Sequence, residues 1–123
     1  MVQVEKIIPG GQALGTLEDG RKIFFWNALP GENVADYEVT KQKSRFVDAI
    51  ATNIENPSEF RVTPKDSCFL STSPWQIIDW SYENRLKTDL VVEIFREHHI
   101  DIETPEIFTD GNSYFYRNKM EYA

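Results

Sequence analysis

The sequence has a single cysteine, a minority of basic residues and no long apolar run. One cysteine cannot form a disulfide within the chain, so nothing in the sequence indicates an oxidising compartment. No apolar segment approaches the roughly 20 residues that a membrane-spanning helix needs. The first residues, MVQVEKII, also lack the basic and apolar segments of a signal peptide. We therefore expect a cytoplasmic protein without membrane contact.

The shortage of basic residues is uneven along the chain. Thirteen Lys and Arg residues stand against twenty Asp and Glu residues in 123, a net charge of −7. Residues 1–63 carry seven basic and nine acidic residues, a balance of −2, whereas residues 64–123 carry six and eleven, a balance of −5. An acidic total disfavours non-specific nucleic-acid binding through net charge. It leaves room for a local basic strip in the first half.

The first half has the pattern of short strands separated by turns. Pro9–Gly11, Asp19–Gly20 and Pro30–Gly31 mark chain reversals, and Asp-Gly is typical of two-residue hairpins. The segments around them predict five strands: VQVEKII, QALGTLE, RKIFFWN, NVADYEVTKQK and SRFVDAIATNIEN. Five short strands without a covering helix are best arranged as a small closed barrel of the oligonucleotide-binding (OB-like) kind. We expect this barrel over residues 1–63.

The second half, residues 64–123, changes to a helical period. Apolar side chains recur every four residues, which predicts one long amphipathic helix; they are Ile78, Tyr82, Leu86, Leu90 and Ile94. We expect Ser73 to cap this helix, with Pro74 at its first position. Residues 57–72 are expected to form an ordered connector between barrel and helix, and Tyr114 to Tyr122 a further strand. The predicted fold class is thus mainly β with one long helix.

Three segments resemble a known family. Gly10, Gly11 and Gly15, followed by GRKIFFWNALPGE, resemble a TRAM domain, a five-stranded barrel attached to several RNA-modifying enzymes. SPWQIIDWSYENRLKTDLVVEIF is similar to the helix that follows the TRAM domain in RNA uracil-5-methyltransferases, which act on tRNA and rRNA, and YRNKMEY resembles the strand that opens their central region. The resemblance covers the whole chain, but only as the amino-terminal segment of a longer enzyme.

The same resemblance implies what the chain does not contain. In that family the S-adenosylmethionine site, the cysteine that adds to uracil and the proton-removing acid lie in a later domain. We therefore expect no catalytic residue and no cofactor site here, and no methyl transfer by these residues alone. Many family members also hold an iron–sulfur cluster on four cysteines, whereas the corresponding stretch, PKDSCFLSTSPWQ, has one. A cluster is not expected, because it needs several thiolates.

RNA binding requires cations for phosphates and flat side chains for bases. The candidates lie beside the predicted turns, on an aromatic strand and in the last strand; they are Lys6, Arg21, Lys22, Trp26, Lys41, Lys43, Arg45, Arg117, Asn118 and Lys119. The resemblance implies structured RNA, tRNA or rRNA, as the partner, and a catalytic domain in the full-length protein.

Each candidate group also has a plainer interpretation. Charged hairpin tips can serve only to keep strand edges soluble. The outward side of Phe24, Phe25 and Trp26 can be covered by the connector or the helix instead of stacking on bases. A second function therefore stays open, in which the barrel is a free-standing module whose acidic helix docks on a protein partner, without an RNA or enzymatic role.

Overall fold

The computed structural model describes residues 1–65 and 67–107, and for Thr72 the backbone alone. Within these residues the strands are β1 (Val2–Gln3), β2 (Lys6–Ile7), β3 (Ala13–Thr16), β4 (Lys22–Trp26), β5 (Asn33–Gln42) and β6 (Phe46–Ile54). The helices are α1 (Phe69–Thr72), a 3-10 helix (Pro74–Ile77) and α2 (Trp80–Glu97). The predicted class, mainly β with one long helix, is confirmed.

The sheet closes into a barrel because β1 and β2, which follow each other directly in the chain, lie at the two opposite edges of the sheet. We call residues 2–7, which contain both strands, the first segment. β1 pairs antiparallel with β5, and β2 pairs antiparallel with β3. Between them the Val4 amide donates to the Glu32 carbonyl and the Glu5 amide donates to the Leu14 carbonyl. The predicted first strand is therefore two short strands, each with its own neighbour. Counted as one segment, they complete a ring of five in which β4 and β6 are parallel.

The barrel interior is filled by alternate residues of the paired strands. On β4, Ile23 and Phe25 are buried, and on β6 the buried positions are Val47, Ala49 and Ala51. In-register pairing sets Ile23 beside Val47 and Phe25 beside Ala49, so large side chains of one strand meet small side chains of the next. The side chains between them, at even-numbered positions, face outward.

Gly15 lies where the first segment passes β3. A methyl group placed on its Cα would lie 2.6 Å from Cγ1 of Val2 and 3.3 Å from the Gln3 carbonyl oxygen. Any larger residue at this position would force the Val2 side chain or the first segment to shift.

The hairpin between β3 and β4 differs from the predicted two-residue turn. The Leu17 amide donates to the Arg21 carbonyl and the Gly20 amide donates to the Leu17 carbonyl, so three residues form the loop. Gly20 has φ +90°, the left-handed conformation that this loop needs in its last position. The Asp-Gly signal thus marked the hairpin correctly but not its length.

A buried charge cluster attaches the connector to the barrel. Glu32 is fully buried, and both of its carboxylate oxygens accept hydrogen bonds from Arg61, at 2.7 and 2.8 Å. The amides of Leu29 and Ser58 donate to the same carboxylate, at 2.6 and 2.9 Å. The Arg61 guanidinium also donates to the side chain and backbone carbonyls of Asn27. The connector is therefore ordered at its start and packed on the barrel.

The long helix begins later than the sequence predicts. Ser73 precedes the 3-10 helix and makes no capping hydrogen bond with its side chain, and the cap of α2 is Asp79, whose carboxylate accepts from the Tyr82 amide at 3.4 Å. The delay has a physical cause, because Ile78 is extended and pairs with Arg61 of the connector. The Asp79 amide then donates to the Phe60 carbonyl. The predicted Ser73 cap is wrong.

The helix packs against the core through side chains between Tyr82 and Leu90. Leu86 is buried, Leu90 packs against the core, and the Tyr82 ring stacks on Phe60 with ring centroids 4.0 Å apart. Further along, Val91 and Ile94 are each 40% exposed, so the apolar stripe is only partly covered. Over the described part of the chain, none of the helices has the length and apolarity required to cross a membrane.

Candidate nucleic-acid interface

Two of the predicted cation groups meet at one end of the barrel. β4 and β6 run parallel, so both strands begin at the same end, and Lys22 lies in register with Phe46. The Lys22 amide donates to the Arg45 carbonyl at 3.3 Å. β5 ends at the same place, since Gln42 pairs with Val47 and the Lys43 amide donates to the Phe46 carbonyl. We call this group the cationic rim; its residues are Arg21, Lys22, Lys41, Lys43 and Arg45.

The cations on the β3–β4 side of the rim have neighbouring acceptors. Arg21 donates through its amide at 3.0 Å and its guanidinium Nε at 2.8 Å to the two carboxylate oxygens of Asp19. These hydrogen bonds, the backbone one first, lower the pKa of Asp19. The Lys22 ammonium donates to the Thr16 hydroxyl at 3.2 Å, a neutral partner that leaves its charge uncompensated. Arg21 is thus partly neutralised, whereas Lys22 forms no ion pair within the part of the chain that the structure describes.

The cations at the β5–β6 tip have no acidic partner among the described residues. Lys41, Lys43 and Arg45 are exposed, and none of them forms an ion pair with another residue in the described ranges. Asp48 lies across from Lys41 in the strand register without forming an ion pair with it. Three positive charges within five residues therefore remain available to an anionic ligand.

The outer face of β4 and β6 adds aromatic surface directly beside the rim. Phe24 and Phe46 are half-buried, and their rings meet edge to face with centroids 5.9 Å apart. The sequence did not identify Phe46 as an outward-facing aromatic, because both faces of strand β6 carry apolar residues. Phe46 and Ile50 lie on one face, and Val47 and Ala49 lie on the other. The register with β4, where Phe25 is inward, decides between the two faces.

Trp26 lies on the same outer face but at the opposite end of β4. A methyl group on Gly11 would lie 3.5 Å from Cζ3 of Trp26 and 3.3 Å from Nε1 of Trp75. The Trp75 indole donates to the Gly11 carbonyl at 2.9 Å. Trp26 is half-buried beside this contact, so the turn before β3 covers part of its ring, and its RNA contact stays a prediction.

Lys6 does not join the rim. It lies on β2, and its ammonium forms an ion pair at 2.6 Å with Glu93 of α2. The hydrogen bond and the charge of Glu93 raise the pKa of Lys6. This contact links the barrel to the helix and occupies the lysine. The remaining candidates, Arg117, Asn118 and Lys119, and the predicted last strand lie outside the described residues.

Side chains that could bind a metal ion do not gather anywhere in residues 1–65 and 67–107: no group of three or more His, Cys, Asp or Glu is suitably placed. The single cysteine, Cys68, is exposed at the start of α1. The described side chains at the interface offer cations, hydrogen-bond donors and aromatic rings.

Comparison with known proteins gives relatives of one kind. The chain is 25% identical over 123 residues to an uncharacterized RNA methyltransferase of Thermotoga maritima, covering 98% of this chain and 28% of that protein. It is 32% identical over 114 residues to an uncharacterized RNA methyltransferase of Lactiplantibacillus plantarum, covering 89% of this chain and 25% of that protein. No protein-family model matches the chain.

A shorter match concerns a protein with a more specific name. Over 66 residues the chain is 36% identical to the 23S rRNA (uracil(1939)-C(5))-methyltransferase RlmD of Polynucleobacter necessarius, which covers 54% of this chain and 14% of that protein. The chain spans about a quarter of the length of the first relatives. It is therefore similar to a portion of proteins named RNA methyltransferases.

Proposed function

We propose that this chain is the amino-terminal, RNA-binding part of an S-adenosylmethionine-dependent RNA uracil-5-methyltransferase, with a TRAM-type barrel of the OB-like kind. The observation that carries the proposal is the parallel pairing of β4 and β6, which brings two separate cation groups to one end of a closed barrel. The similarity to RNA methyltransferases supports RNA as the ligand. The substrate RNA would be a structured tRNA or rRNA.

The cationic rim would bind RNA mainly through phosphates. Lys22, Lys41, Lys43 and Arg45 carry charges without an acidic partner in the described chain, so binding a phosphate costs them no existing ion pair. Each phosphate contact releases counterions, which makes the affinity fall as salt rises. The net charge of −7 disfavours non-specific binding of RNA elsewhere on the surface.

No cofactor is assigned to these residues. One cysteine cannot supply the several thiolates of an iron–sulfur cluster, and S-adenosylmethionine would bind in a domain that this chain does not include. The chain would act in the cytoplasm and would hold the substrate while another domain carries out methyl transfer.

Fluorescence anisotropy with a tRNA or rRNA stem-loop at several salt concentrations tests the RNA proposal. We expect saturable binding that weakens with salt. The triple variant Lys41→Glu, Lys43→Glu, Arg45→Glu should lower the magnitude of the log–log salt slope by about 2 to 3. Lys87→Glu on α2 is the control, because it reverses a cation of the same kind outside the rim. Equal losses in the triple variant and the control would contradict a specific rim.

One observation favours the second function, docking on a protein partner. Val91, Ile94 and Phe95 share one face of α2 and are each about 40% exposed. If the wild-type chain binds no RNA even at low salt, this exposed helix face becomes the better candidate for the binding surface.

A further inference from the structure

The outer face of the barrel next to the rim has a layered arrangement. In-register pairing and strand alternation place Lys22 and Phe46 in one row across β4 and β6, and Phe24 and Asp48 in the next. Lys41 lies opposite Asp48 on β5, so it belongs to the second row. Phe46 thus lies beside Lys22, whereas Phe24 lies beside Asp48, with Lys41 on the far side of Asp48.

The two rings do not belong to the apolar core. Their inward neighbours Ile23, Phe25 and Val47 are buried, whereas Phe24 and Phe46 are half-buried. Within the described ranges, neither ring is part of the core cluster or of the side chains packed against it. Their edge-to-face contact orients the two rings relative to each other and leaves part of their surface open to solvent.

The charges beside the two rings determine where a phosphate can bind and where it is disfavoured. A carboxylate at Asp48, beside Phe24, disfavours a phosphate at that position. Lys22 and Arg45, beside Phe46, favour a phosphate there. A nucleotide whose phosphate lies on the rim would therefore direct its base toward the rings. A base can reach the rings only if it is not stacked and paired inside a duplex.

We propose that Phe24 and Phe46 form a stacking platform for unpaired bases, so that the barrel binds single-stranded segments of its RNA in preference to duplex. This inference rests on the proposed RNA-binding function and assigns the class of RNA that the same surface recognises. The alternative role of the pair is structural, since cross-strand aromatic contacts also stabilise sheets.

The test compares two probes: a fluorescent oligouridylate of about 10 nucleotides, and a blunt RNA duplex of similar length rich in G·C pairs. Wild-type chain should bind the oligouridylate more tightly. Phe24→Leu and Phe46→Leu should each weaken oligouridylate binding by about 5- to 100-fold. Duplex binding should stay unchanged, because the rim is intact. Phe46→Trp should retain binding, and Phe95→Leu on α2 is the control for the same change at an exposed aromatic.

The outcomes separate this inference from the function on which it rests. Wild-type binding to neither probe would contradict both. Equal affinity for the two probes, or leucine variants that bind the oligouridylate as wild type does, would overturn the platform and leave RNA binding by the rim in place. A lower melting temperature without loss of affinity would assign the pair the structural role.

A second measurement on the unmodified chain avoids variants that fail to fold. Photo-crosslinking with an oligonucleotide that contains 5-bromouridine should join the base to Phe24 or Phe46, because this reaction favours aromatic side chains in stacking contact. Crosslinks that map only to other residues would overturn the proposal.

Discussion

The Glu32 carboxylate is a single buried charge on which the junction of barrel and connector depends. Its two oxygens accept four hydrogen bonds, two of them from Arg61. Removing one partner of a buried ion pair leaves the other charge desolvated without full compensation, which is far more costly than losing a surface pair. The stability of the junction therefore depends strongly on the Arg61 side chain.

We expect Arg61→Met to lower the free energy of unfolding by about 3 to 5 kcal/mol. Urea denaturation followed by tryptophan fluorescence would measure it. Lys87→Met is the matched control, because Lys87 forms an exposed pair with Glu83 at 3.9 Å and its loss should cost about 1 kcal/mol or less. Similar costs for the two variants would show that the Glu32 cluster is not held as described.

Residue identity alone did not reveal this cluster. Glu32 stands in the ALPGE segment, which the sequence presents as a turn, and Arg61 is 29 residues later in a segment predicted only as a connector. Nothing in a single sequence pairs two such positions. The exposure of the cations at the β5–β6 hairpin tip was predictable, because residues at turns between strands are usually exposed and the sequence marks the turns.

The start of the long helix shows how tertiary contacts override a local signal. Ser73 and Pro74 have the residue types of a helix start, and they do begin a helical turn, the 3-10 helix. The connector then holds Ile78 extended, so α2 begins only after Asp79. The apolar period of four in the sequence includes Ile78 and therefore does not reveal this break. Ile78 is buried in its extended conformation, so its apolar character fits either structure.

Substitution of the two capping candidates tests the observed helix start. Asp79→Ala should lower the free energy of unfolding by about 1 kcal/mol, since the Tyr82 amide loses its acceptor. Ser73→Ala should leave it nearly unchanged, because the Ser73 side chain makes no capping bond. Thermal unfolding followed by circular dichroism compares the two, and the reverse order of effects would restore the sequence-based assignment.

Closure of the barrel depends on the crossing of the first segment over β3. Gly15→Ala should cost about 1 to 3 kcal/mol, because the new methyl group would overlap the Val2 side chain. Chemical denaturation would measure the loss. Combining it with Val2→Ala should give less than the sum of the two single effects, since the smaller side chain makes room. Strict additivity would indicate that the two residues are not in contact.

For the whole molecule, the sequence predicted the kind of fold and the regions that carry charge, but not how the charges are grouped. Strand and helix periods, with Gly20 and the other turn residues, predicted a barrel followed by a helix. The meeting of Lys22 with Arg45 follows from the parallel pairing of β4 and β6, and no local pattern encodes which strands become neighbours. The position of Lys6 beside α2, away from the rim, is likewise set by strand pairing and not by a local sequence pattern.

Nuclear magnetic resonance mapping of RNA binding tests the central claim most directly. Titration of isotope-labelled chain with a single-stranded RNA should shift the amide signals of residues 21–24 and 41–46, while signals of residues 91–97 in α2 stay in place. Shifts confined to the exposed helix face, or no shifts at low salt, would contradict RNA recognition by the cationic rim.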